Sequence, residues 1–150
     1  MNISHCLGVK IIPAHRIPPR DCALIEPMSV GFHAVSRAQV TDIDIVMVIG
    51  CGMIGMGAIV RSALRGATVI AVDLDDEKLE LAKRIGAHHT INSMTENVHE
   101  CLTKITEGLG PDVVIEAVGS PATYVMAVNE VGFTGRVVCI GYAKSEVSFQ

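Results

Sequence analysis

An α/β fold built on a doubly wound parallel sheet is predicted by three observations. From residue 44 onward, five short apolar runs alternate with segments of helical spacing. IVMVIG and TVIAVD are apolar on both faces rather than at every second position, as strands covered on both faces require. The intervening segments are long enough for helical crossovers, and strands joined in that way lie parallel with helices on both faces. Five such strands are expected in the order 3-2-1-4-5.

The elements follow in order. Pro13, Pro18 and Pro19 punctuate the first 20 residues, which read as an extended connector or N-terminal extension. Residues 21–39 have apolar residues at helical spacing, with Glu26-Pro27 near the start, and predict a helix that opens a single domain over 21–150. IVMVIG (45–50) is the first strand and MIGMGAIVRSALRG (53–66) the helix after it, with Gly66 as its stop. TVIAVD (68–73) is the second strand. In DDEKLELAKRIG (75–86) acids open the helix, bases close it and Gly86 ends it. HHTIN (88–92) is a short third strand with His88 and His89 at its edge, and TENVHECLTKITEG (95–108) a helix with Val98, Cys101, Leu102 and Ile105 on one stripe. DVVIEAV (112–118) is the fourth strand. Ser120 caps the helix over 120–131, with Pro121 at its first position, and RVVCIG (136–141) is the fifth strand.

Composition narrows the function. The chain has 150 residues, 49% apolar and 19% charged, which excludes a disordered chain. Net charge is −4, aromatics make up 3% and tryptophan is absent, so neither a basic footprint nor a base-stacking platform for nucleic acid is present. No apolar run reaches the roughly 18 residues of a membrane span. The N-terminus lacks the pattern of a secretory signal. Cys6, Cys22, Cys51, Cys101 and Cys139 form no C-x-x-C pair. They suit a reduced cytoplasmic protein in which most act as small core residues.

The chemistry is concentrated between the first strand and its helix. Gly50, Gly52 and Gly55 form G-x-G-x-x-G in the strand-to-helix context that gives the motif its meaning. Gly50 permits the tight turn, Gly52 lets a pyrophosphate approach the backbone, and Gly55 lets helix and strand pack closely. Free N–H groups at the helix start then hold phosphates without a cation. Asp73 ends the second strand, where an acid accepts hydrogen bonds from the adenosine ribose and repels a 2′-phosphate. The fold class is therefore Rossmann-like and the expected cofactor is NAD(H). Asp75 can cap the following helix in place of Asp73, and Lys78 is within reach of the same ribose. An S-adenosylmethionine turn, G-x-G-x-G, would need glycine where Ile54 stands.

Taken together, IIPAHRIP, ALIEPMSVGFHAV, VMVIGCGMIGMGAI, VIAVDLDDEKLELAKRIGA, PDVVIEAVG and GRVVCIGY resemble the zinc-type medium-chain alcohol and polyol dehydrogenases, in the sorbitol, threonine and sugar-acid dehydrogenase branch. The resemblance runs from about Ile11 to Gln150. It implies an oxidoreductase that passes hydride from an alcohol, polyol or sugar acid to NAD, with zinc in the full-length enzyme. It implies that Gly50, Gly52, Met53, Ile54 and Gly55 hold the pyrophosphate and that Asp73 and Lys78 contact the adenosine ribose. It implies that Val118 and Gly119 lie where the fourth strand ends beside the cofactor, that Ile140 and Gly141 lie at the end of the next strand near the nicotinamide, and that Glu26 matches an acid near the catalytic zinc. The cysteine and His-Glu zinc ligands and the four-cysteine lobe of the family are not matched here, nor is the last strand of its sheet. This chain is thus expected to be the cofactor-binding piece of a larger dehydrogenase, inactive by itself, with no catalytic residue of its own.

Other readings remain open. A non-catalytic NAD(H)-binding sensor or scaffold would also use this turn. A zinc-free NADPH-dependent quinone or enone reductase domain is disfavoured by Asp73. Glu26 and His33 share a helix face but fall short of the three or four ligands of a zinc site. Cys51 stands at a helix N-terminus, which can stabilise a thiolate, but a small filler is the simpler role. The free edge beyond the fifth strand makes a homo-oligomer an expectation.

Overall fold

The computed structural model describes residues 15–149. The expectations for residues 1–14, including Cys6 and Pro13, lie outside the described residues. The elements are α1 (Pro19–Cys22), α2 (Ile25–Arg37), β1 (Ile45–Ile49), α3 (Met53–Leu64), β2 (Thr68–Asp73), α4 (Asp76–Arg84), β3 (His89–Asn92), α5 (Val98–Ile105), β4 (Val113–Glu116), α6 (Pro121–Glu130) and β5 (Arg136–Cys139). The five strands form one sheet in the order β3-β2-β1-β4-β5, with every pair parallel. This is the Rossmann-like arrangement that the sequence predicts.

Successive residues of the central strand serve opposite faces. Val46 and Val48 join Val35 of α2, Ile59 of α3 and Leu79 of α4 in one core. Met47 and Ile49 join Val98 and Leu102 of α5 and Ala127 of α6 in the other. That division explains why β1 is apolar throughout. Among the described residues, no helix is long and apolar enough to cross a membrane.

The sheet's two ends differ in character. At the N-terminal end, Arg136 Nη2 donates to Asp44 Oδ1 at 2.6 Å, and the other oxygen of Asp44 accepts from the N–H and hydroxyl of Thr41. The Ile45 N–H donates to Asp112 Oδ2 at 2.8 Å. These groups tie β1, β4 and β5 at the end away from the glycine turn.

Some element limits differ from the sequence reading. The expected helix over 21–39 is divided into α1 and α2, and α1 begins at Pro19, inside the expected connector. Ala23 and Leu24 remain in helical conformation between the two. Pro27 has no N–H to return to the carbonyl of Ala23, which interrupts the ladder there. The helix expected over 95–108 spans only Val98–Ile105. Asn97 caps it, and the preceding Glu96 accepts the Asn92 N–H at 2.8 Å instead of opening the helix.

Candidate functional site

The glycine turn links β1 to α3 at the C-terminal end of the sheet. Gly50 adopts φ +93°, a conformation that strains any residue with a Cβ. Its N–H still pairs with the Val72 carbonyl at 2.8 Å, so the turn begins within the sheet. A Cβ on Gly55 would collide with the Gly50 carbonyl. Both glycines are therefore required by the fold itself.

Gly52 is different. Its φ of −73° suits any residue, and among the described residues a Cβ built there would meet nothing within 4 Å. The packing of the described residues gives no reason for glycine at this position. Gly52 is also the N-cap of α3, which has no capping side chain. By contrast, α4 is capped by Asp75, α5 by Asn97 and α6 by Ser120. The N–H groups of the first turn of α3, including those of Met53 and Ile54, have no partner among the described residues and are open to whatever approaches from outside.

Asp73, at the end of β2, is anchored by three backbone donors. Oδ2 accepts from the Cys51 N–H at 2.6 Å, and Oδ1 accepts from Leu74 and Asp75 at 2.8 and 3.1 Å. Asp75 accepts from Glu77 and Lys78 as the cap of α4, which leaves Asp73 free of that task. Lys78 is exposed on α4 and lines an apolar groove of about 420 Å³ together with Gly52, Met53 and Leu24. The Cys51 thiol is pushed up to about 12, by burial first and by Asp73 second, with Lys78 opposing. At neutral pH it is a protonated core residue whose Sγ faces the Val72 carbonyl, and not an activated thiolate.

The remaining positions lie on the other side of β1. Val118 is half exposed after β4, and its Cγ2 would stand 2.6 Å from a Cβ on Gly50. A Cβ on Gly119 would run into the Tyr142 backbone, and one on Gly141 would run into Gly119. The Ile140 and Gly141 N–H groups both point to the Glu116 carbonyl, at 2.8 and 3.1 Å. Gly50, Val118, Gly119 and Gly141 are thus brought together, with Asp73 and Lys78 across the turn from them.

Glu26 is not part of this assembly. It is exposed in the first turn of α2, and His33 is exposed farther along the same helix. Among the described residues, no three His, Cys, Asp or Glu side chains converge as metal ligands. These residues do not by themselves fit a zinc ion.

Two features escaped the sequence reading. Glu116 is fully buried and holds the turn after β4. It is the one acid inside an otherwise apolar strand, and that interruption was its signal. Gly31 and Gly57 allow α2 and α3 to cross at backbone contact: a Cβ on Gly31 would meet Ala58 N at 2.5 Å, and one on Gly57 would meet Met28 O at 2.8 Å. The two glycines are 26 positions apart on different helices, so no local pattern marks them.

Known proteins are similar to this chain in sequence and fold. An erythritol/L-threitol dehydrogenase of Mycolicibacterium smegmatis is 38% identical over 133 residues, which covers 88% of this chain and 37% of that protein. A D-xylulose reductase of Scheffersomyces stipitis is 42% identical over 129 residues, covering 85% of this chain and 35% of that one. The chain therefore spans little more than a third of these relatives. The structure of an alcohol dehydrogenase from Thermus sp. ATN1 superposes with a TM-score of 0.84 at 33% identity, over 94% of this chain and 41% of that one. Residues 54–150 match the family model described as zinc-binding dehydrogenase, and with these relatives that match establishes that the chain belongs to the zinc-binding dehydrogenase family.

Proposed function

We propose that this chain is the NAD(H)-binding part of a zinc-type oxidoreductase acting on an alcohol, polyol or sugar acid. The observation that carries this reading is Gly52. It is a glycine that neither its own backbone nor its neighbours demand, at the mouth of an uncapped helix. A diphosphate resting on that N-terminus would use the space a side chain would take. The names of the relatives, a threitol dehydrogenase and a xylulose reductase, support a polyol or its ketose as the substrate class.

Asp73 supports NAD over NADP. Three backbone N–H groups hold its carboxylate in place, so it cannot swing away from a 2′-phosphate. A carboxylate has about four acceptor sites, which leaves one for a ribose hydroxyl. The nicotinamide ring, when bound, supplies the hydride chemistry. This chain's residues bind and orient it: Gly50 to Gly55 at the diphosphate, Asp73 and Lys78 at the adenosine ribose, and Val118, Gly119, Ile140 and Gly141 at the far end. Glu26 would stand near the substrate metal of the complete enzyme. The ligands of that metal would come from elsewhere, and this stretch alone is expected to turn over no polyol.

Titration with NADH and NADPH, followed by nucleotide fluorescence, tests the reading. Saturable NADH binding is expected, with NADPH at least tenfold weaker. Asp73→Asn keeps an acceptor for the Cys51 N–H and removes the charge, so it should narrow that gap. A chain that is folded by circular dichroism yet shows no saturable NADH binding would overturn the proposal.

A further inference from the structure

Glu116 ends β4 and is 0% exposed. One carboxylate oxygen, Oε1, accepts from the Val118 N–H at 2.9 Å, the Gly119 N–H at 2.8 Å and the Thr123 hydroxyl at 2.8 Å. Its main-chain carbonyl receives the N–H groups of Ile140 and Gly141. A single residue therefore gathers the turn after β4 and the turn after β5. Tyr124 adds a second tie between them, because α6 starts from the first turn and the Tyr124 hydroxyl donates to the Gly141 carbonyl at 2.6 Å. The Ser120–Thr123 capping box holds the start of α6, and with it Thr123, against Glu116.

The other oxygen, Oε2, is buried and has no partner among the described residues. A Cβ on Gly141 would lie 2.7 Å from it. Burying a carboxylate is costly unless hydrogen bonds compensate it. An apolar side chain would fill β4 without that cost, as Val113, Val114 and Ile115 do. The carboxylate stands where two turns are held at one spacing. In the strand order, β4 and β5 flank β1 on the side opposite β2, which carries Asp73. The residues braced by Glu116 are thus remote from the adenosine end.

We infer that Glu116, with Tyr124, is a positioning residue for the nicotinamide half of the dinucleotide, fixing the spacing between the 118–119 and 140–141 turns. This rests on the NAD(H) reading above. It makes a selective prediction: loss of the brace should weaken ligands that carry nicotinamide riboside and spare those that end at the diphosphate.

The experiment compares NADH with ADP, which keeps the adenosine and diphosphate. Glu116→Ala should weaken NADH at least tenfold and ADP less than twofold. Glu116→Gln keeps an acceptor at Oε1 and should restore most of the NADH affinity. Tyr124→Phe removes only the tie to Gly141, so it should show the same selectivity at about threefold. It also decides the matter if Glu116→Ala fails to fold by circular dichroism. Equal loss of both ligands, or no loss in folded variants, overturns the inference. An unsubstituted chain that binds ADP and NADH equally well also overturns it, because the nicotinamide half then makes no contact to position. Absence of binding by the unsubstituted chain removes the NAD(H) reading, and this inference with it.

Discussion

At the scale of single residues, the three glycines of the turn carry different obligations. Gly50 and Gly55 answer to the backbone around them, whereas Gly52 faces open space. That contrast gives an unusual mutational signature. Serine at position 52 would sit at the N-cap of α3 in an unstrained conformation and could accept from the first-turn N–H groups. It would also reduce the entropy of the unfolded chain. Gly52→Ser is therefore expected to raise stability by about 0.5–1 kcal/mol and to weaken NADH binding at least tenfold. Thermal unfolding and nucleotide titration of the same preparation check both signs. A variant that loses stability while retaining NADH affinity would show that the position serves the fold. The place of Asp73 at the end of β2 was legible in the sequence, because periodicity reveals where a strand stops. Glu116 was not, because its partners become visible only when Val118, Gly119 and Thr123 turn back on it.

At the scale of elements, the crossing of α2 and α3 sets how the segment before β1 meets the sheet. At its closest approach this contact is made by backbone, where Gly31 and Gly57 each face the opposite helix directly. A close-packed interface of this kind has nowhere to move a methyl group. Gly31→Ala is expected to lower the unfolding free energy by about 1–3 kcal/mol, more than its higher helix propensity returns. Urea denaturation measures this, and a neutral or stabilised variant would show that the helices can separate at little cost. Helix positions were legible in the sequence from apolar spacing, but their ends were set by chemistry of shorter range. Pro27 divides the first helical stretch and Asn97 delays the start of α5. Ser120 and Asp75 were readable as caps because both precede an uninterrupted helical pattern.

At the scale of the whole molecule, the strand order was legible because the central strands β1 and β2 are apolar on both faces and every connection is long enough for a crossover. The crossing of α2 over α3 and the tie between Arg136 and Asp44, 92 positions apart, depend on which distant segments that order brings together. The same order has a consequence for the chain as it is made. β1 acquires β2 on one side almost at once, but its other neighbour is β4, which begins only at Val113. At typical synthesis rates of about 5–20 residues per second, one edge of Val46–Ile49 stays without a partner for several seconds after β1 emerges. An apolar strand with an open edge is the kind of surface that chaperones bind and that aggregates grow from. Arrested nascent chains ending before Val113 should crosslink to a chaperone through residues 46–49, and chains long enough to expose β4 should not. Equal crosslinking from both would place the hazard elsewhere. The centre of the finished sheet is, for a time during its birth, its most exposed seam.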